Sequence, residues 1–324
     1  MRSLLLAAAI LAVPAAAQEP NRRSPNEIVA AAPASEWVSI APSDLLVMTL
    51  APDARGKPRQ VVIQLMPPPF SQGWVENIRA LAKARWYDGL SVNRVQDNYV
   101  VQWGDPDGED AAKAKKLPAG LRVMKDGDYL ATVVGDDLLK RTRWPDNYAG
   151  FATFKNGWPL GTSMKSVHSF DYQSWPVHCY GMVGVGRGMP PDTGSGAELY
   201  AVIGHAPRHL DRNIALVGRV VEGIEHLSSL PRGTEALGFY KTAAERVPIV
   251  SIRLASDLPE ADPASSSEAV GQQTRPRFEY LSTESATFAA YAEARANRRD
   301  PFFIQPAGGA DICNIPVPVR RAAD

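Results

Sequence analysis

What most constrains this chain is a succession of short, β-branched apolar runs punctuated by turn residues. Asp44–Leu50 and Gln60–Met66 read as a hairpin across the Pro- and Gly-bearing segment Pro52–Pro58. Pro67-Pro68-Pro69 ends the second strand, because proline cannot donate to a sheet ladder. Val92–Val95 and Tyr99–Trp103 follow, divided by Asp97-Asn98, a natural turn pair. Gly181–Gly188, Ala197–Ile203, Ile214–Val221 and Pro248–Leu254 supply further strands. Short strands leave unpaired edges unless the sheet closes or stacks. The pattern therefore predicts a mainly β domain, either a barrel or a sandwich.

Helical signals are few. Gln72–Arg85 reads as a helix, with Ile78, Leu81 and Ala82 at helical spacing. Glu284–Asn297 is an Ala-rich second helix that Ser282 or Thr283 could cap. Between the strands, Asp105–Lys116 is charged and loop-like, and residues 106–178 as a whole read as one enlarged loop insertion. Trp144, Trp158 and Trp175 predict that this insertion packs onto the domain. Residues 257–277 are rich in Pro, Ser and Gln and read as a linker, and Pro301–Ile304 and Ile312–Val319 read as extended. The expected order is a signal peptide at 1–17, a flexible leader at 18–35 and a β domain at 36–256. The linker at 257–277 and a C-terminal extension at 278–324 complete it.

Met1–Ala17 has the form of a secretory signal: Arg2, an apolar core at Leu4–Val13, and Ala15-Ala16-Ala17 before Gln18. It predicts export to a bacterial periplasm, with secretion as the alternative. No later run approaches the roughly 20 apolar residues of a membrane span. With 35 basic and 35 acidic side chains, the chain lacks the electrostatic footprint of a nucleic-acid binder or of a protein held to an anionic membrane. Its two cysteines, Cys179 and Cys313, could form one disulfide in an oxidising compartment or remain as buried thiols.

Several isolated motifs fail on physical grounds. Gly184-Val185-Gly186-Arg187-Gly188 lacks the third glycine of a dinucleotide fingerprint, since position 189 is Met189. His205 and His209 are four apart, but Pro207 and Gly204 argue against a shared helical face for a metal. Gly194-Ser195-Gly196 is too short for a nucleophile elbow, which weakens the case for a secreted hydrolase.

Taken in order, other segments are far more specific. Val75-Glu76-Asn77-Ile78-Arg79-Ala80-Leu81 resembles the first helix of the cyclophilins. Tyr87-Asp88-Gly89, Val92-Asn93-Arg94-Val95 and Tyr99-Val100-Val101-Gln102-Trp103-Gly104-Asp105 together resemble the family signature. Gly196–Tyr200, His209-Leu210-Asp211 and Val217–Gly223 resemble its later blocks, so the likeness runs across 44–254. The resemblance implies a closed, eight-stranded antiparallel barrel with two capping helices, one at Gln72–Arg85 and a shorter one near Thr234–Tyr240. It also implies an active site on the barrel's outer face and a peptidyl-prolyl isomerase acting on proline-containing polypeptide clients, with no cofactor and no metal. A catalytically weak binding module of the same fold is the alternative, and the oligomeric state is left open.

By the same resemblance, Arg94 is the catalytic arginine and Gln102 holds the peptide backbone. Tyr99 and Tyr200 stand in place of pocket phenylalanines, and Leu210 matches a pocket leucine. Departures from the family pattern fall at Val92, Asn93, Arg187, Glu198, His209 and Ile214. Each tyrosine keeps an aromatic face but adds a hydroxyl that needs water or a partner. Glu198 replaces a glutamine and brings a carboxylate into the site.

Overall fold

A computed structural model describes residues 23–134, 141–166, 171–260 and 274–322. The expected signal peptide lies outside the described residues, as do residues 261–273 of the expected linker. Alternation explains why the strands form and how they close. In β2 (Leu45–Leu50), Leu46, Met48 and Leu50 join the main core, whereas Leu45 and Val47 join a second cluster on the opposite face. With both faces covered, the strand can be apolar at every position but Thr49. It pairs with β3 (Arg59–Leu65) on one side and β13 (Val247–Leu254) on the other. β4 (Ser91–Val95), β5 (Val100–Gly104), β10 (Met182–Val185), β11 (Leu199–Val202) and β12 (Leu216–Glu222) complete the closed barrel. The order is β10-β11-β5-β4-β13-β2-β3-β12, and β12 pairs back to β10. Its eight strands coincide with the eight read from the sequence.

Helix α2 (Gln72–Lys83) packs on β12 and β13 with Trp74, Val75, Ile78, Leu81 and Ala82 buried along one face. Trp74 Nε1 donates to the Gly194 carbonyl at 2.9 Å, and Asn77 Nδ2 donates to the Ser195 and Arg122 carbonyls at 3.0 and 2.9 Å. One helix thus anchors two loops. The second helix of the domain is α3 (Glu225–Ser228), directly after β12. The expected helix near Thr234–Tyr240 is instead a short 3-10 turn at Ala236–Gly238, in which Leu237 has φ +58°.

The insertion is not a loop. β6 (Ala131–Val134), β7 (Phe151–Lys155), β8 (Trp158–Ser166) and β9 (Asp171–Pro176) form a four-stranded sheet ordered β6-β9-β8-β7. Its hairpin turns on Asn156-Gly157, whose φ values of +50° and +82° suit the tight turn this dipeptide favours. Trp158, Leu160 and Trp175 are buried in the main core, so the sheet is fused to the barrel.

A third sheet joins the two ends of the chain. β1 (Trp37–Ser39) pairs with β14 (Phe278–Leu281), which pairs with β15 (Val319–Arg321). Helix α4 (Ala286–Ala296) is capped by Ser285, whose Oγ accepts from Phe288 N at 3.0 Å, rather than by Ser282 or Thr283. Against it packs α1 (Pro25–Ala30), inside the segment expected to be a flexible leader. Ser24 and Glu27 make a reciprocal capping box, and Ile28 is buried. Two other expectations also change. Pro301–Ile304 is a turn with Phe302 and Ile304 exposed, and Ile312–Asn314 is a 3-10 turn ahead of β15.

Two contacts fasten these additions to the barrel. Arg219 of β12 is buried, stacked 4.6 Å from the Trp158 ring and 5.8 Å from that of Tyr280. Its Nε donates to Gln64 Oε1 at 2.9 Å and its Nη1 to the Gly157 carbonyl at 2.7 Å. Burial without a carboxylate partner pushes its pKa down to about 10. Cys179, just before β10, is bonded to Cys313 on the turn ahead of β15. That bond closes a loop over a sequence separation of 134, for which chain entropy gives about 4–5 kcal/mol. Replacing both cysteines by serine should lower stability by about 2–4 kcal/mol, read as a drop in the urea midpoint. An unchanged midpoint would mean that packing alone holds the tail.

Candidate active site

The site is built on the outer face of β4, β5 and β11. Val101, Trp103, Leu199 and Ala201 point into the main core, so the alternating positions Gln102 and Tyr200 face outward. Register then sets them in a row: Arg94 of β4 lies opposite Gln102 of β5, and Gln102 opposite Tyr200 of β11.

Arg94 is half-buried and tightly held. Its Nε donates to the Leu237 carbonyl at 2.7 Å, its Nη1 to Gln102 Oε1 at 3.1 Å, and its Nη2 to Gln96 Oε1. The guanidinium lies 5.8 Å from the Tyr99 ring centre and 5.5 Å from that of Phe239. Burial lowers its pKa from the ordinary guanidinium value, but the group stays charged at neutral pH. The sequence did not single out Leu237 or Phe239. Both belong to the turn after Glu235, where the left-handed backbone at Leu237 accompanies the delivery of a carbonyl to Arg94.

Beside this cation lies an apolar patch. Val100, Tyr200 and Val202 are buried, with Tyr99, Leu210 and Ile214 packed around them. Leu210 arrives on the 3-10 turn Arg208–Leu210, and the neighbouring His209 stacks on Tyr99 at 6.1 Å with the ring planes 10° apart. All four residues expected to bind substrate therefore adjoin the patch or Arg94. The structure gathers Arg94, Gln102, Tyr99, Tyr200 and Leu210 on one face of the barrel.

Glu198 flanks the row. Its Oε2 accepts from Gln102 Nε2 at 3.4 Å, and a Cβ on Gly104 would fall 2.1 Å from its Oε1. Burial pushes its pKa up to about 7, against the opposing hydrogen bonds from Gln102 and the Asp105 backbone. Arg187 donates to the carbonyls of Gly188 and Asn213. Asn93 is buried and lies at a register shift between Val92 and Arg94.

Sequence reading missed the groups behind Tyr200. Its hydroxyl lies 2.8 Å from His178 Nε2, and His178 Nδ1 lies 2.8 Å from Asp211 Oδ1. The only sequence signal was the hydroxyl itself, which required a partner somewhere. Among the described residues, no cluster of His, Cys, Asp and Glu is placed to hold a metal ion, and no helix is long and apolar enough to cross a membrane.

A cation held beside an aromatic pocket, with an amide next to it, can grip a prolyl ring and present a donor to its nitrogen. Comparison with known proteins supplies the family. The family model described as cyclophilin-type peptidyl-prolyl cis-trans isomerase/CLD matches residues 61–254. No curated protein sequence matches the chain. Among solved structures, cyclophilin AquaCyp293 from Hirschia baltica is similar with a TM-score of 0.57 and 22% identity. That likeness covers 89% of this chain and 95% of the other. A cyclophilin-type peptidyl-prolyl cis-trans isomerase from Cryptosporidium parvum gives a TM-score of 0.39 at 12% identity, covering 68% of this chain and 99% of the other. With the matched region spanning most of the chain and the barrel closed in eight strands, the chain belongs to the cyclophilin-type peptidyl-prolyl cis-trans isomerase family.

Proposed function

We propose that Arg94 polarises the prolyl nitrogen of X–Pro bonds in exported client proteins. The observation that carries this reading is the fixed guanidinium, held through Leu237, Gln96 and Gln102 beside the pocket of Tyr99, Tyr200 and Leu210. Amide resonance sets a barrier of roughly 18–20 kcal/mol. When the bond twists, the nitrogen lone pair leaves conjugation and becomes a hydrogen-bond acceptor. A donor aimed at it is stronger in the transition state than in the ground state, which is what raises a rate. Gln102 lies beside Arg94 and holds the peptide backbone, while the aromatic patch takes the ring. No bond breaks, so the reaction needs neither nucleophile nor metal.

Export to the periplasm is the setting that fits best. The signal-like start Met1–Ala17 supports it, and the Cys179–Cys313 disulfide fits an oxidising compartment.

Two outcomes follow for catalysis. Arg94→Ala should lower kcat/KM by about 10²–10³ while peptide affinity falls far less. Arg94→Lys should recover little, because an ammonium cannot reproduce the planar fork that reaches Leu237 and Gln102 together. Tyr200→Ala should instead weaken binding. The measurement is cis–trans exchange of a proline peptide by NMR, with affinity followed by titration; full activity in Arg94→Ala would overturn the mechanism.

The Glu198 carboxyl generates a pH dependence. With its pKa raised to about 7, it is protonated below that value and ionised above it. The ionised form accepts only, and competes with a peptide carbonyl for the Gln102 amide. Peptide affinity should therefore fall as pH rises from about 6 to 8, and Glu198→Gln should flatten the profile. Stability carries the same sign. The unfolded chain loses this proton near the usual 4.5 and the folded chain near 7, so wild-type protein should lose stability relative to Glu198→Gln across that interval and no further above it. Parallel wild-type and Glu198→Gln denaturation curves at every pH would contradict this.

A further inference from the structure

Tyr200 carries a hydroxyl where the family pattern has a bare phenyl ring, and the fold provides it with both space and a partner. Gly184 lies opposite Tyr200 across β10 and β11, and a Cβ at 184 would fall 2.3 Å from the tyrosine oxygen. The hydroxyl meets His178 Nε2 at 2.8 Å, with the two rings stacked 12° from parallel. Asp211 Oδ1 lies 2.8 Å from His178 Nδ1 and also accepts from the His178 backbone N–H at 2.9 Å. Asp211 Oδ2 accepts from Arg208 Nε at 2.5 Å. Arg208 then turns Nη1 and Nη2 on the two oxygens of Asp146 at 2.8 and 3.1 Å. Asp146 belongs to the insertion, just before β7, and its side chain has 0% exposure. Five side chains thus make one buried line from the pocket wall to the inserted sheet.

The protons along this line are assigned by its partners. Burial holds His178 below its ordinary pKa, against the pull of Asp211, so the ring is neutral at pH 7. Asp211 is ionised: burial acts to raise its pKa, but His178 and Arg208 hold it below the usual range. Nδ1–H therefore donates to the carboxylate and Nε2 is left to accept from the Tyr200 O–H. A hydroxyl, an imidazole and a carboxylate in series also describe the relay of nucleophilic enzymes. Tyr200 is no such nucleophile, because burial raises its pKa well above 10. What the line does is mechanical: it removes the hydroxyl from the reaction and fixes the ring.

We propose that His178, Asp211, Arg208 and Asp146 are positioning residues that lock the Tyr200 ring as a wall of the prolyl pocket, so that the insertion sets substrate affinity. This rests on the assignment of Tyr200 to that pocket. Satisfied buried networks of this kind are costly to interrupt, since each deletion strands a polar or charged partner. Ring placement is also what a prolyl ring packed against it senses, so loosening it should weaken binding more than it slows the chemical step.

A double-mutant cycle on the full chain tests this, with the affinity of a proline peptide read by NMR titration and exchange read in the same tubes. His178→Phe should weaken peptide binding by about fivefold, with the exchange rate of bound peptide changed by less than about twofold. In a Tyr200→Phe background, which has no hydroxyl to hold, the same His178→Phe change should have no further effect on affinity. Should His178→Phe fail to fold, Asp146→Asn serves instead, with about threefold weaker binding that also vanishes in the Tyr200→Phe background. Unaltered affinity in these variants, or an equal loss in both backgrounds, would overturn the proposal. Tyr200→Ala separates the two readings. If it leaves binding intact, the pocket assignment fails; if it weakens binding while the His178 and Asp146 variants do not, only the positioning role fails.

Discussion

The site depends on one feature of the sheet, the register among β4, β5 and β11. Arg94, Gln102 and Tyr200 are successive partners across three neighbouring strands, and that alone sets a cation, an amide and an aromatic ring in a line. Side chains alternate along a strand, so a slip of one residue would send Gln102 inward and Trp103 out. The apolar partners prevent that slip, because Val101, Trp103, Leu199 and Ala201 are all committed to the core. On β4 the register shifts between Val92 and Arg94, which leaves Asn93 as the extra residue. Irregularities of this type re-aim a side chain beside a functional site. Here the side chain re-aimed is Arg94.

Two sheets have been added to this barrel without opening it, one over an apolar patch on the face opposite the main core and one packed into the main core itself. The N- and C-terminal strands lie over Leu45, Val47 and Val62, which would otherwise be an exposed apolar face. The inserted sheet brings Trp158 and Trp175 into the main core. Arg219 is where the barrel, the insertion and the terminal sheet meet, contacting Gln64, Gly157, Trp158 and Tyr280. A buried guanidinium with no carboxylate beside it costs desolvation energy, partly offset by two aromatic faces and two hydrogen bonds. Such a group tolerates few alternative arrangements, which favours one docking of the three sheets.

The eight barrel strands and α2 were legible because two-residue alternation and helical spacing act over a few neighbouring residues. Arg94 and Gln102 were legible because their motif is continuous along β4 and β5. What escaped was either local chemistry passed over or contact made at a distance. Asn156-Gly157 and the Ser24–Glu27 box are local signals, and both mark elements, the β7–β8 hairpin and α1, where composition alone predicts loop and leader. Leu237, His178 and Asp146 are different. Their roles arise from contacts with residues 143, 22 and 62 positions away, which no spacing rule encodes.

Two departures from the family pattern, Tyr200 and Glu198, show how differently a polar group can be absorbed in one site. Each needs a glycine opposite it, Gly184 for the phenol and Gly104 for the carboxylate. Beyond that the two part company. The phenol is matched by a buried acceptor that is itself held by a carboxylate and an arginine, so its polar atom is satisfied along a continuous line. The carboxylate has a 3.4 Å contact with Gln102, and burial lifts its pKa to about 7. A satisfied network is rigid and insensitive to small changes in solution conditions, whereas a desolvated carboxyl poised near neutrality changes charge within the working range. The tyrosine is therefore a fixed ring beside Val100 and Val202. The glutamate contributes a charge that varies with pH, next to the Gln102 amide that also meets Arg94, and it is there that the solution around the protein can reach this row of side chains.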